Sequence, residues 1–299
     1  MSGDALALAS AACFSLANIT IAKGTARGDE DNGVFVSLLL TTAIAGGLWL
    51  ALGIARGFVP VTPAALAWFA GAGVLTGFVG RVFGYATVQR LGAMRASAIK
   101  RLQPFFAVAL GIGVLGERLS AGALAGMLLL LASFMLLVVR PGARRGESGR
   151  GPSGRLDIGY LYGPISALGY SAGYLLRKIG LEHTPDAYLG AAAGSLVGAL
   201  LFMLAGAWQP RYAAAVRETF ATPRPWLIAA GVCSSLGQIA YFLALERSAV
   251  SRVALLVSLE VFITIFLSAL FLRRQEQLTA AVAVAATLGF AGAALVVTA

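Results

Sequence analysis

Two stretches of the chain decide the fold: residues 80–97, GRVFGYATVQRLGAMRAS, and residues 237–254, GQIAYFLALERSAVSRVA. Each leaves one apolar segment, passes a polar turn and enters the next apolar segment. Aligned without gaps, they pair residues of similar kind: Tyr85 with Phe242, Arg90 with Arg247, and Arg95 with Arg252. Because charged residues recur at corresponding ends of apolar segments, the sequence predicts two related halves.

The composition predicts an integral membrane protein. Of 299 residues, 59% are hydrophobic and only 12% are charged, whereas about a quarter of the residues in soluble domains are charged. A soluble domain could not cover its core with so little polar surface. The chain also contains 37 glycines, and glycine is more frequent in membrane helices than in soluble ones.

Ten apolar segments reach the roughly 20 residues that a helix needs to cross about 30 Å of hydrocarbon. The strands of a membrane β-barrel would be about ten residues long and would alternate in polarity, so the sequence predicts an all-α bundle of ten transmembrane helices. The predicted spans are 4–23, 33–55, 64–89, 96–116, 120–140, 157–178, 186–208, 226–246, 252–272 and 278–298.

The domain organisation follows from the position of one linker. Residues 141–156, PGARRGESGRGPSGRL, have the composition of a flexible linker and separate two predicted five-helix repeats, residues 1–140 and 157–299. Since five is an odd number, the second repeat must enter the membrane upside down. Inverted repeats underlie alternating access in many secondary transporters, whose substrate site lies near the midplane where the repeats meet.

Residues 209–225 form a longer connection in the second half and have two interpretations. Three arginines alternate there with Tyr212, Val216 and Phe220. This spacing suits a short amphipathic helix lying in the membrane interface, and a solvated loop is the alternative.

Several kinds of function are disfavoured by the residue inventory. Cys13 and Cys233 follow no metal-ligand spacing, and the single histidine, His183, lies in a polar turn. We therefore predict no metal, no cofactor and no catalytic residues. The 23 basic residues exceed the 13 acidic ones but lie mostly between apolar segments, where they anchor helix ends to lipid headgroups. The expected partners are membrane lipid and a small-molecule substrate, and not nucleic acid.

Polar side chains inside predicted spans are the best signal for a site, because burying them in hydrocarbon is costly and they usually face a cavity or a neighbouring helix. Two pairs occupy corresponding positions of the halves: Arg81 with Gln238, and Gln103 with Glu260. Glu260 is the only carboxylate well inside a predicted span. Either an interhelical hydrogen bond or proton coupling would explain its place there.

Other candidates also have two interpretations. Lys100 either faces the cavity or extends to the headgroups, and Asn18 either contacts substrate or bonds another helix. Aromatic residues of the third, sixth and eighth spans either line a pocket for an aromatic ligand or serve ordinary packing. The candidate substrate-binding residues are Asn18, Phe78, Arg81, Tyr85, Lys100, Gln103, Tyr170, Tyr174, Gln238, Tyr241, Phe242 and Glu260.

The charge pattern of these candidates suggests the chemistry of the ligand. One group is predicted to lie toward one side of the bilayer: Asn18, Arg81, Lys100 and Gln103. Gln238 and Glu260 are predicted to lie toward the other side. A positive half-cavity suits a substrate carboxylate, and a carboxylate opposite suits an ammonium group, which together describe a zwitterion such as an amino acid.

Short motifs in both halves resemble those of the EamA-type drug/metabolite transporter family. They comprise Pro104-Phe105-Phe106, Gly116-Glu117-Arg118-Leu119, its counterpart Gln275-Glu276-Gln277-Leu278, and Lys23 and Lys178 at the ends of the first and sixth helices. The resemblance covers nearly the whole chain and is greatest to bacterial exporters of aromatic amino acids. It implies a multi-pass transporter of the cell inner membrane with two five-helix repeats.

Orientation in the membrane stays open between two interpretations. Lysines and arginines are concentrated in the connections on the side opposite both termini, and because basic residues are enriched on the cytoplasmic side, this favours termini outside. The family resemblance implies termini in the cytoplasm.

The leading hypothesis is a secondary exporter of small metabolites, with amino acids as the expected class and aromatic ones favoured, working by alternating access around a central cavity. An exporter of drugs or other metabolites is the alternative within the same class. A membrane-embedded enzyme is disfavoured because the acidic residues are scattered among separate turns. A non-transporting scaffold is disfavoured by the predicted burial of Arg81 and Glu260.

Overall fold

The computed structural model describes residues 1–24, 30–80, 83–84, 86–87, 90, 99–139, 158–221, 224–271 and 280–298. Three predicted features lie outside the described residues: the linker 141–156 and the candidate site residues Arg81 and Tyr85. Within the described ranges, the regular secondary structure is helical and contains no strand.

Helices occupy every one of the ten predicted spans, and an additional short helix follows the seventh. They are α1 (Gly3–Gly24), α2 (Glu30–Arg56), α3 (Pro63–Val74, continued by a π-helical turn, Leu75–Gly80), α4 (Gln103–Leu115), α5 (Ala121–Val139), α6 (Gly159–His183), α7 (Ala187–Trp208), α8 (Pro210–Ala221), α9 (Pro225–Arg247), α10 (Val250–Val257), α11 (Glu260–Phe271) and α12 (Ala280–Thr298).

The lengths and apolar compositions of the helices confirm a multi-pass membrane architecture. In the part of the chain that the structure describes, six stretches are long and apolar enough to cross a membrane: Gly3–Thr20, Gly33–Arg56, Pro63–Gly80, Ala187–Trp208, Pro225–Arg247 and Val250–Ser268. Shorter apolar helices are also present: Gln103–Leu115, Ala121–Leu137 and Val282–Thr298. The exact count of ten spans stays a prediction.

Two predicted spans differ from the observed helices in ways that matter for the site. The sixth helix does not end at residue 178 but continues to His183, so residues 177 and 178 lie inside it. The ninth span is not one helix: a turn at Ser258 and Leu259 divides it into α10 and α11. At this turn the amide of Leu259 donates to the carbonyl of Leu256, three residues back, which tightens the chain compared with an α-helix.

The packing of the helices is symmetric under exchange of the two halves. Helix α1 packs against α9 as its counterpart α6 packs against α3, and α1 packs against α11 as α6 packs against α4. Two pairs join a helix to its own counterpart, α2 with α7 and α5 with α12, and α4 packs against α10 of the other half. The repeated sequence of residues 80–97 and 237–254 is therefore matched by a repeated pattern of helix contacts.

Close backbone contact between helices depends on glycine. A Cβ atom added at Gly73 in α3 would collide with the carbonyl oxygen of Gly194 in α7. The same relation joins α5 to α12, where a Cβ at Gly292 would come within 2.6 Å of the carbonyl oxygen of Gly126. Small residues permit this close approach of the two backbones. The resulting van der Waals contacts stabilise the helix pair, because there is no hydrophobic driving force between helices in lipid.

Polar contacts join the helix ends on the side of the molecule that holds both termini, which we call the terminal end. The Arg252 side chain donates to both carboxylate oxygens of Asp4, at 2.7 and 2.9 Å, and to the carbonyl of Val297 at 2.6 Å. The Lys178 ammonium donates to the carbonyls of Leu245 and Ser248, at 2.8 and 3.2 Å. These bonds satisfy carbonyl groups at helix ends that have no partner within their own helix.

The Gly-Glu motif after α4 has a structural role at the terminal end. Gly116 ends α4 in the left-handed conformation, with φ of 67°, which glycine adopts without steric cost. Glu117 then reaches the first turn of α10, where it accepts from the amides of Val250 and Ser251, at 2.6 and 3.0 Å, and from the Ser251 hydroxyl. A carboxylate is favoured here because unpaired amides and the helix dipole make a helix N-terminus positive.

The connection after the seventh span is a helix, so the solvated-loop interpretation of residues 209–225 is wrong. Helix α8 buries Tyr212 and Ala215, and the Tyr212 ring lies edge-on to Phe202 of α7 with centroids 4.9 Å apart. Phe220 on the same helix is exposed. That α8 lies in the membrane interface stays a prediction.

We expect Glu117→Gln to lower the free energy of unfolding by about 2 kcal/mol, because hydrogen bonds to a charged group contribute roughly 1.5–3 kcal/mol. Thermal unfolding in detergent micelles, followed by circular dichroism, measures the change. Glu182→Gln is the matched control, since Glu182 is exposed in the last turn of α6. Equal stability of the two variants would contradict the capping role of Glu117.

We expect Gly73→Ala to destabilise the fold by about 1–3 kcal/mol, because the added methyl group must push α3 away from α7. Gly47→Ala is the control, because a Cβ atom at Gly47 meets nothing within 4 Å. This control should be as stable as the parent or more so, since alanine favours helix over glycine. The same unfolding assay compares them, and a harmless Gly73→Ala would show that the two backbones are free to separate.

Candidate functional site

A cavity of about 930 Å³ lies between the two halves. Its wall includes residues of α1 to α5 from the first half and of α6, α7, α9, α10 and α11 from the second. The lining extends from Gly33 and Gly163, in the first turns of α2 and α6, to Ala254 in the second turn of α10. Because α2 and α6 begin opposite the terminal end, the cavity crosses most of the bundle.

A carboxylate and an amide form the first polar cluster in the wall. The Asn18 side-chain amide of α1 donates to a carboxylate oxygen of Glu260 at 2.7 Å. The Ser15 hydroxyl donates to the backbone carbonyl of Glu260 at 3.0 Å. Glu260 is also the first residue of α11, where the positive end of the helix favours a negative charge.

The first cluster corrects one prediction. Asn18 was expected on one side of the bilayer and Glu260 on the other, but the two side chains are hydrogen-bonded. The reason is that α1 and α11 are packed neighbours and the break after α10 places Glu260 beside the middle of α1. The interhelical hydrogen bond expected for Asn18 is confirmed.

An arginine is the centre of the second polar cluster. The Arg177 side chain is only 6% exposed and lines the cavity from α6. Its Nη2 donates to the Thr76 hydroxyl at 3.2 Å. With the amide oriented to satisfy the hydrogen bonds, the Gln238 oxygen accepts from Nη1 and Nη2 at 2.9 Å each.

Aromatic rings surround the guanidinium of Arg177. Its central carbon lies 5.2 Å from the ring centroid of Tyr174, 5.7 Å from that of Tyr241 and 5.0 Å from that of Phe242. A cation near an aromatic face is attracted by the ring quadrupole, and the attraction grows when water is excluded. These contacts stabilise a charge that would otherwise be costly inside the membrane.

Tyr174 connects the second cluster to the start of α4. Its hydroxyl accepts from the side-chain amide of Gln103 at 2.5 Å, and its ring centroid is 4.7 Å from that of Tyr241. The cavity wall therefore carries an acidic group, Glu260, and a basic group, Arg177.

Two hydroxyl groups in the wall are buried without a hydrogen-bond partner among the described residues. They belong to Tyr241 in α9 and Thr264 in α11. An unsatisfied buried hydroxyl is costly, and such groups often acquire a partner when a ligand or water enters.

Most of the predicted site residues that the structure describes lie in the cavity wall. Those in the wall are Asn18, Lys100, Gln103, Tyr170, Tyr174, Gln238, Tyr241, Phe242 and Glu260. The predicted place of Phe78 needs correction: in the π-helical turn its neighbours Thr76 and Gly77 take the cavity side, and Phe78 is 42% exposed. Arg81 and Tyr85 lie outside the described residues.

Lys100 lies in the wall with its side chain exposed. Its ammonium is 5.8 Å from the centroid of the Tyr170 ring. Of the two interpretations of Lys100, the structure supports the cavity-facing one.

Sequence reasoning missed Arg177, although a signal for it was present. The predicted span ended at residue 178, which placed Arg177 at a helix end among headgroups. The helix continues for five more residues, to His183. Tyr170, Tyr174 and Arg177 stand at positions i, i+4 and i+7, which share one helix face, so an aromatic stripe leading to a cation was visible in the sequence.

Comparison with known proteins gives one family and one fold. The sequence profile described as the EamA-like transporter family matches residues 1–139 and again residues 157–298. A solved structure described only as "Crystal structure of protein" superposes with a TM-score of 0.71, at 20% identity, over 98% of this chain and 95% of that one. At this identity the likeness shows the fold alone. No curated protein matches the chain.

Proposed function

Because the chain belongs to the EamA-like transporter family and is a membrane transporter of the drug/metabolite superfamily, we propose that it exports small zwitterionic metabolites across the cell inner membrane. Amino acids are the proposed substrate class, with aromatic ones favoured. The single observation that carries this proposal is that an acidic and a basic side chain, Glu260 and Arg177, line one cavity.

The opposite charges favour a zwitterion over a simple cation or anion. A cargo with one charge would be attracted by one cluster and repelled by the other. A zwitterion can orient its ammonium group toward Glu260 and its carboxylate toward Arg177. An attraction to a buried charged group is stronger than the same attraction in bulk water, because the effective dielectric constant is lower there.

The aromatic lining favours a ring on the cargo. Tyr170, Tyr174, Tyr241 and Phe242 all line the cavity. Offset or edge-to-face ring pairs contribute about 0.5–1.5 kcal/mol beyond the burial of their area. Small ligand sites in proteins combine such apolar surfaces with a few placed polar groups, and this cavity has the same composition.

Alternating access would follow from inverted repeats. At the terminal end, the capping of α10 by Glu117 and the ion pair of Asp4 with Arg252 join the two halves. In an inverted repeat, the counterpart connections lie at the opposite end of the bundle and would close it when the terminal end opens. Cargo held between the clusters would then meet one side of the membrane at a time.

We expect the purified protein, reconstituted in proteoliposomes, to transport labelled L-phenylalanine with saturable kinetics. Liposomes without protein provide the background. L-alanine tests the role of the ring, and phenethylamine tests the role of the carboxylate. Transport of none of the amino acids tested would overturn the substrate class, and efficient transport of hydrophobic cations instead would favour a drug exporter.

We expect Glu260→Gln to abolish the dependence of transport on pH while leaving cargo binding measurable, because an amide keeps the shape of the side chain but cannot take up or release a proton. Transport rates across a range of external pH measure this, and Glu182→Gln is the control outside the cavity. If the variant keeps the pH profile of the parent, Glu260 does not couple protons to transport.

A further inference from the structure

Three cations among the described residues line the cavity: Lys100, Arg101 and Arg177. Arg101 packs against Phe134, with its central carbon 6.0 Å from the ring centroid, and the structure distinguishes the roles of Lys100 and Arg177. The argument rests on the proposed function and asks which of them meets the carboxylate of the cargo. The similarity of the two halves does not decide this, because the two cations do not occupy corresponding positions. Lys100 precedes α4 in the first half, and Arg177 lies within α6 in the second.

Lys100 lies in the cavity wall with an exposed side chain. Its ammonium is 5.8 Å from the centroid of the Tyr170 ring. An exposed ammonium keeps much of its hydration, and water screens its attraction for a ligand. Lys100 is therefore a weaker site for an anion than a buried cation is.

Arg177 is held in a fixed place. Gln238 and Thr76 accept from its Nη atoms, and the rings of Tyr174, Tyr241 and Phe242 lie within 5.0–5.7 Å of its central carbon. A planar guanidinium matches the two oxygens of a carboxylate better than an ammonium does. Little conformational entropy remains to be lost on binding, since the side chain is already ordered.

The hydroxyl of Tyr241 is a second group that points to a ligand here. Tyr241 is 1% exposed, its ring lies beside the guanidinium, and its hydroxyl has no hydrogen-bond partner among the residues described. A phenol can donate to a carboxylate oxygen. An anion beside Arg177 would therefore find a charged and a neutral donor on neighbouring helices α6 and α9.

From this geometry we propose that Arg177, and not Lys100, binds the carboxylate of the cargo, with Tyr241 as an additional donor. Gln238 and Thr76 act as positioning residues that fix the guanidinium. The ammonium group of the cargo then lies toward Glu260. The specificity for carboxylates thus comes from the second half of the chain and from a residue outside the repeated motif.

Binding of three probes to the detergent-purified protein tests the proposal. The probes are L-phenylalanine, 3-phenylpropionate, which lacks the ammonium group, and phenethylamine, which lacks the carboxylate. Affinities come from the concentration dependence of the thermal shift. We expect Arg177→Lys to weaken L-phenylalanine and 3-phenylpropionate by about tenfold or more, because a bidentate charged contact is lost, and to change phenethylamine by less than about twofold.

Three further variants keep the test decisive. Gln238→Glu retains Arg177 but places a competing carboxylate on it, so it should weaken 3-phenylpropionate even if Arg177→Lys unfolds. Lys100→Gln should weaken 3-phenylpropionate much less than Arg177→Lys does. Arg247→Lys, at the exposed end of α9, controls for a general effect of replacing arginine.

The outcomes separate this proposal from the proposed function. The role of Arg177 would be overturned if L-phenylalanine bound the parent protein and the variants Arg177→Lys and Gln238→Glu with the same affinity. The proposed cargo class would still stand in that case. A greater loss in Lys100→Gln would assign the carboxylate to Lys100 instead. No thermal shift of the parent protein with any of the three probes would overturn the cargo class and this assignment together.

Discussion

A charge inside a membrane bundle must be surrounded by protein groups that replace its water, and this constraint governs the polar part of the structure. The effective penalty for burying an ion is several kcal/mol, so each ionised group in the interior is accompanied by specific partners. The Glu260 carboxylate accepts a hydrogen bond from the Asn18 amide. Arg177 donates hydrogen bonds to Gln238 and Thr76, and three aromatic rings surround its guanidinium. These contacts with Glu260 and Arg177 help to fix the positions of the helices that supply the partners.

Symmetry of the fold and asymmetry of the site serve different purposes. Helix contacts repeat between the halves because the packing of small and apolar residues repeats. The charges of the two clusters do not repeat: Glu260 corresponds to the neutral Gln103, and when Lys23 is aligned with Lys178, Arg177 corresponds to Ala22. Two similar halves can therefore exchange roles during transport while the cavity between them keeps one polarity.

The helices could be predicted from the sequence because hydropathy depends on composition over about 20 residues, which neighbouring helices do not alter. The site could be predicted in part, since polar residues such as Gln103 and Glu260 stand out against apolar surroundings. Arg177 was missed because helix ends depend on local capping, and a basic residue near a predicted end looks like an anchor. The contact of Asn18 with Glu260 depends on the break in the ninth span, which no local pattern marks.

The break at Ser258 and Leu259 divides the ninth span into two helices joined by a turn. The first helix, α10, is hydrogen-bonded to Glu117 in the connection after α4. The second helix, α11, places Glu260 in the cavity wall. A continuous helix would have to tilt as a whole whenever the terminal end opened, and the carboxylate would be carried along with it. In the proposed transport cycle, the contact of Glu117 with α10 would break at the terminal end while Glu260 stays beside the cargo, so that opening of the bundle and release of the cargo are separate events.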